Sequence, residues 1–270
     1  MFKAGRSYNL ALRRLPSRIL TPQEIGLPSA LVDLCNRREG LILVTGPTGS
    51  GKSTSLASLI DHVNRTSARH IMTFEDPVEY VHASNQSIVS QREIGTDAES
   101  FADALRDVLR ADPNVILIGE MRDLETIRTA IRAAETGHLV LATTHTLSAA
   151  ATVNYILDAF PAAEQSHIRV QLAGSLVAVQ SQTMCEAADQ QGVVAAYELM
   201  IMNDPIRASI LKDRPVGVDD AIRGGKGIGM QLRDGHLIEL AVAGKITRQT
   251  AVSKSRDASY VSVELAKRKM

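Results

Sequence analysis

Gly46-Pro47-Thr48-Gly49-Ser50-Gly51-Lys52-Ser53 satisfies the pattern G-x-x-x-x-G-K-[ST], between the apolar run Leu41-Ile42-Leu43-Val44 and an amphipathic stretch from Lys52 to Asn64. A strand, a glycine-rich loop and a helix in that order leave few architectures open. Glycines let the backbone curl so that successive N–H groups point inward at phosphate oxygens, where the start of the helix adds its positive potential. Lys52 supplies a point charge for the outer phosphates, and Ser53 offers a hydroxyl to Mg²⁺, a hard cation that takes oxygen ligands and keeps several waters. With Thr54 these eight residues form the expected nucleotide-binding set.

The surrounding pattern extends this unit into a fold. His70 to Phe74, Val115 to Ile118 and Leu139 to Ala142 are further short apolar runs of the kind that form buried parallel strands. Amphipathic stretches Glu99 to Ala111, Leu124 to Glu135 and Ser148 to Ala159 lie between or after them. Such alternation predicts an α/β sheet with right-handed crossovers. Val177 to Met184 and Val193 to Leu199 read as a strand pair, followed by a helical tail broken at Pro205, Pro215 and Gly224-Gly225. The expected organisation is a linker or terminal strand over 1–22, an α/β core over 23–200, and a C-terminal helical subdomain and tail over 201–270.

A phosphate cradle gives binding; hydrolysis needs an acidic group that orients or deprotonates water. Asp112-Pro113-Asn114-Val115-Ile116-Leu117-Ile118-Gly119-Glu120 is an apolar strand ending in a carboxylate. Ligand sites of open parallel sheets lie outside the carboxyl ends of the strands, so Glu120 projects toward the glycine-rich loop. Glu75-Asp76-Pro77-Val78-Glu79 also follows a strand, and three carboxylates within five residues call for a cation or a proton to relieve them. A solvated acidic turn is the plainer alternative for that cluster. Gly137-His138 and Thr143-Thr144-His145-Thr146 bracket another strand, so His145 too stands at a carboxyl end. A histidine there can donate to a γ-phosphate or be a structural hydrogen-bonding group.

Taken together and in this order, the four segments resemble the type II/IV secretion ATPase superfamily, which drives secretion systems and type IV pili. The twitching-motility retraction branch is the most similar. Gly46 to Ser53 matches the family's Walker A motif and Thr73 to Glu79 its Asp box. Asp112 to Thr126 matches its Walker B motif and Gly137 to Thr146 its His box. Ser90 to Gly95, Ala133 to Gly137 and Gly229-Met230 are similar to family segments as well. The resemblance implies a RecA-like ATPase core with ATP and Mg²⁺ as ligands. It implies that the core works in a homo-oligomeric, usually hexameric, ring on the cytoplasmic face of the inner membrane, against a pilus platform protein. It assigns Glu79 as general base, Glu120 as a water-mediated Mg²⁺ ligand alongside Ser53, and His145 and His138 as couplers of phosphate state to subunit movement. Arg13 falls where the family carries an arginine that reaches a neighbouring subunit's nucleotide; an exposed linker arginine is the alternative.

Three departures stand against the family pattern. Family members carry a PAS-like N-terminal domain, and this chain begins near that domain's final strand. The retraction motors' A-I-R-N-L-I-R-E-like helix is represented by Pro205 to Asp213, which keeps Arg207 and Ile210 but not the last charge pair. Thr144 stands where an apolar residue is usual. Cys35 and Cys185 cannot supply the four-cysteine insert of the assembly and type II secretion motors, which favours the retraction branch. A second functional class is a non-hydrolysing or regulatory nucleotide-binding subunit of a ring made by a full-length paralogue. A DNA motor is disfavoured: Lys+Arg and Asp+Glu are 30 each, aromatic residues are 3% and tryptophan is absent, which leaves no phosphate-neutralising groove or stacking platform in view. The apolar runs are also far shorter than the roughly 18 residues of a membrane span.

Overall fold

The four apolar runs become the centre of one sheet. The computed structural model describes residues 2–4, 7–9, 18–108, 110–212 and 217–268. Its strands are β1 (Phe2–Ala4), β2 (Ser7–Asn9), β3 (Gly40–Thr45), β4 (His70–Glu75), β5 (Ile88–Glu93), β6 (Val115–Ile118), β7 (Leu139–Thr144), β8 (Leu176–Glu186) and β9 (Val193–Ile201). The helices are α1 (Ser29–Leu34), α2 (Lys52–Thr66), α3 (Phe101–Val108), α4 (Leu124–Glu135), α5 (Ala149–Asp158) and α6 (Ala162–Ser175). They continue with α7 (Asp204–Leu211), α8 (Val218–Gly224), α9 (Arg233–Val242), α10 (Arg248–Lys254) and α11 (Ala258–Lys267).

The main sheet runs β5-β4-β6-β7-β3-β8-β9. All neighbours are parallel except β9, which returns antiparallel on β8. Alternate residues of each central strand enter opposite cores, as the two-residue period requires. Leu41, Leu43, Ile116, Ile118, Val140 and Ala142 pack under α3 to α6. Ile42, Val44, Ile71, Val115, Leu117 and Leu141 pack under α1 and α2. Burial on both faces is why these strands read as unbroken apolar runs.

Three elements depart from the sequence expectation. β5 lies outside the expected strands; its residues Ile-Val-Ser-Gln-Arg-Glu pair only with β4 and stay partly exposed, so no apolar run marks them. The fourteen residues of α6 bury only Ile168, Leu172, Ala173 and Ser175, too thin a stripe to show as a period. Pro205 does not break a helix: it lies in the first turn of α7, behind the Asn203 cap, where its missing N–H costs nothing. Beyond residue 200 packing continues without a gap, because Ile206, Ile210, Val218 and Ile222 of α7 and α8 join the larger core. The helices α9 to α11 instead close a separate cluster around Cys185 and Ala196 on the β8–β9 ribbon.

Candidate nucleotide site

The loop after β3 needs glycine for steric reasons that differ along its length. Gly46, Gly49 and Gly51 have φ of +145°, +79° and +84°. A Cβ on Gly46 would stand 2.4 Å from the Gln182 carbonyl oxygen, and one on Gly51 would stand 2.3 Å from Met184 Cε; one on Gly49 would meet nothing. β8 therefore presses on the back of the loop. Gln182 Nε2 donates to the Ser50 carbonyl at 2.5 Å, while Gln182 Oε1 accepts from Ser55 Oγ and from Gln180 Nε2, each at 3.0 Å. Sequence reasoning missed Gln180 and Gln182; two glutamines one residue apart, directly after the apolar run Leu176 to Val179, were the available signal. Lys52 Nζ donates to the Gly46 and Pro47 carbonyls at 2.9 and 3.2 Å, which parks the ammonium over the loop. Burial holds its pKa below the usual lysine value, against the opposing pull of Glu120 and Glu79.

A crevice of about 510 Å³ opens above the carboxyl ends of the strands. Thr48, Gly49, Gly51, Lys52, Ser53 and Thr54 line it, while Gly46 and Ser50 are buried beneath the loop and Pro47 is exposed beside it. Glu75, Asp76 and Glu79 enter from the end of β4, and Glu120 and Arg122 from the end of β6. Thr73 Oγ1 and Gln91 Nε2 donate to Glu75 Oε1 at 2.7 and 3.1 Å, but burial outweighs them and its carboxyl sits above the ordinary range. On either side of Glu79 the backbone is pinned. Val78 N donates to Glu93 Oε2 at 3.1 Å, and Tyr80 OH shares a 2.8 Å hydrogen bond with Thr54 Oγ1 on α2. The segment is thus braced on both sides of Glu79 and lines the crevice, with Asp76 and Pro77 exposed at its turn.

Burial pushes the Glu120 carboxyl up, yet the Arg122 hydrogen bond and the nearby His145 together bring it below its ordinary value. Arg122 lies 2.6 Å from Oε2; His145 Nε2 approaches Oε1 at 2.5 Å but off the hydrogen-bonding direction, so this buried oxygen lacks an aligned donor. His145 stands half-exposed just past β7. The unusual Thr144 is buried and satisfied, since Thr144, Thr146 and Thr152 form a chain of hydroxyl contacts at 2.9 and 2.6 Å.

Two expected site residues are not brought here. His138 lies at the opposite end of β7, where its carbonyl accepts from Gly40 N at 3.1 Å and its Nδ1 sits 3.0 Å from the Ala133 carbonyl. A six-residue strand rising about 3.3 Å per residue separates it from His145 by roughly 20 Å. Within this chain His138 is therefore a buried residue at the far end of a central strand rather than part of the crevice. Arg13 lies outside the described residues.

The crevice suits a nucleoside polyphosphate: a loop whose positive-φ glycines are backed by β8, a lysine held over it, and an open acidic wall. Among the described residues no group of three or more His, Cys, Asp or Glu side chains is gathered to hold a metal. The donors present, the Ser53 hydroxyl and the under-donated Glu120 carboxylate, fit a hydrated hard cation that phosphate oxygens complete.

Comparison with known proteins agrees with this geometry. The family model described as "Type II/IV secretion system protein" matches residues 12–256. The type IV pilus "retractation ATPase PilT" of Pseudomonas aeruginosa is 46% identical over 255 residues, covering 94% of this chain and 74% of its own length. A twitching motility protein of Neisseria gonorrhoeae is 43% identical over 261 residues, covering 97% of this chain and 70% of its own. The crystal structure of the pilus retraction motor PilT with bound ADP superposes with a TM-score of 0.83 at 47% identity, covering 91% of this chain and 69% of that one.

Proposed function

The chain belongs to the type II/IV secretion system protein family and is an ATP-hydrolysing enzyme with a RecA-like core, and from that premise we propose that it is the motor subunit of a type IV pilus retraction machine or a related secretion apparatus. One observation carries the reading: Lys52, Ser53, Glu79, Glu120 and His145, drawn from the ends of β3, β4, β6 and β7, line one crevice.

In this reading the loop amides from Thr48 to Thr54 and Lys52 hold the phosphates in line for attack, so the protein's contribution is positioning and electrostatics. Ser53 and, through water, Glu120 would hold Mg²⁺, which would supply positive charge to the transferring phosphate. Glu79 is the general base: it lies on the acidic wall, and its neighbours Val78 and Tyr80 are tethered so that the carboxylate keeps its place. His145, touching Glu120, is the group that registers the γ-phosphate and its loss. Residues 23–200 form the catalytic core, and 201–270 the helical part. The subunits act as a ring, hexameric in this proposal, at the cytoplasmic face of the inner membrane against a pilus platform protein. Arg13 completes a neighbouring subunit's site. Among the described residues no helix is long and apolar enough to cross a membrane.

The test is Glu79→Gln. ATP affinity measured by fluorescence titration should be unchanged while turnover falls by about 10²- to 10⁴-fold, the usual contribution of a general base. Turnover within a factor of two of the parent would remove Glu79 from that role.

A further inference from the structure

Glu198, in the middle of β9, is 1% exposed, and no expectation from the sequence touches it. Its Oε1 accepts from the backbone N–H of Ala149, the first residue of α5, at 2.8 Å. That helix already has an ordinary cap, because Ser148 Oγ accepts from Ala151 N at 3.2 Å. Glutamine would serve Ala149 as well through its amide oxygen and would avoid burying a charge. The carboxylate has a partner on the other side: burial pushes its pKa up, but Oε2 faces Arg256, just before α11, at 3.4 Å, and Arg256 also faces Asp219 of α8 at the same distance. Arg256 is set in place by its own N–H, which donates to Asp234 of α9 at 2.8 Å. Arg233, the first residue of α9, donates to the Leu147 carbonyl at 3.4 Å.

Two of these bonds reach the connection between β7 and α5, which begins with His145: Arg233 holds the Leu147 carbonyl, and Glu198 holds Ala149 N where the connection enters the helix. The segment has two sets of tethers. One is local, the Thr144–Thr146–Thr152 hydroxyl chain. The other runs to α8, α9 and α11, helices remote in sequence. This second set is incompletely satisfied, since Asp219 Oδ1 and Arg233 Nε are both buried without a partner. A donor and an acceptor left unpaired in one cluster leave it a second arrangement to move into, which a fully bonded network would resist.

We propose that Glu198, with Arg256 and Arg233, is a positioning group for His145, tying the 145–148 segment to the C-terminal helices so that a displacement of those helices shifts His145 relative to the γ-phosphate. The inference rests on His145 acting at the phosphate. It makes the C-terminal helices the place where load on the motor is felt by the site, because α9 to α11 pack as a hydrophobic cluster separate from the two cores that hold the crevice strands.

The experiment is a double-mutant cycle on the whole chain, with Mg·ATP turnover and ATP KM both measured. Glu198→Gln keeps the acceptor for Ala149 and removes the charge; it should lower kcat by between about 2-fold and 30-fold, the range for residues that couple without touching ligand, with KM unchanged. In a His145→Ala background the same substitution should have no further effect. Arg233→Gln, which spares the buried carboxylate, should behave in the same way and carries the test if Glu198→Gln does not fold. Equal losses in both backgrounds would overturn the proposal and leave the role of His145 standing. A His145→Ala variant with undiminished turnover would instead overturn that role, and this proposal with it.

Discussion

Lys52 and the glycines around it show how single residues divide the work of the site. Lys52 is held by two loop carbonyls and partly desolvated, so its charge is delivered at little reorganisation cost. Lys52→Ala removes hydrogen bonds worth about 1.5–3 kcal/mol each when charge-assisted, so ATP affinity by titration should fall by more than about 100-fold. The glycines are not equivalent. Gly46→Ala meets the Gln182 carbonyl at 2.4 Å in a backbone conformation hostile to side chains, whereas Gly49→Ala has the strained φ but open space. Urea unfolding should therefore show a loss of about 3 kcal/mol or more for Gly46→Ala, from strain and overpacking together, and only about 1–2 kcal/mol for Gly49→Ala. Equal losses would mean that the β8 contact does not press on the loop.

Elements that carry site residues are fastened at their ends. Helix α4, which follows the Glu120 segment, is capped by Asp123, whose carboxylate accepts from Thr126 N at 2.8 Å and from Thr126 Oγ1 at 2.6 Å. Thr126 is buried, so Asp123→Ala loses the cap and also strands a hydroxyl; the expected cost is about 2–3 kcal/mol in denaturant unfolding. Burial acts to raise the Asp123 carboxyl, but its hydrogen bonds prevail and its folded pKa lies below the ordinary value. A depressed carboxylate contributes stability that is present above its unfolded pKa, about 3.9, and is lost as pH falls through the folded one. The gap between wild type and Asp123→Ala should accordingly narrow below about pH 4. Helix α5 is fastened differently, by a serine cap of its own and by a glutamate from the far edge of the sheet. That double fastening is why its first turn answers to the C-terminal helices as well as to β7.

For the whole molecule, in the order β5-β4-β6-β7-β3-β8-β9 the chain leaves β3 for β4 on one side, whereas its neighbours β7 and β8 continue toward β9 on the other, and the crevice opens over the carboxyl ends beside that switch point. Every described group proposed for catalysis comes from one chain, whereas the proposed ring would bring in a neighbouring subunit with Arg13. Mg·ATP turnover per subunit should therefore rise as protein concentration is raised over several decades, as subunits complete one another's sites. A rate independent of concentration would mean that each chain works alone.

Much of the fold and of the crevice is legible in the sequence because the signals are local. A strand buried on both faces must be an apolar run, so β3, β4, β6 and β7 announce themselves; a phosphate cradle needs glycines, a lysine and a hydroxyl at fixed spacing, so Gly46 to Ser53 does too. The position of Glu120 follows from the rule that parallel strands deliver their ligands at their carboxyl ends. What the sequence leaves hidden depends on partners far apart along the chain. β5 is defined by pairing with β4 and not by its own polar residues. Gln182 matters because β8 lies against the loop, and Glu198 because a strand edge, one helix start and three later helices meet around it. His138 marks the same limit from the other side: it flanks the strand that carries His145 to the crevice, but six residues of extended chain put the two at opposite ends, and proximity in sequence is not proximity across a sheet.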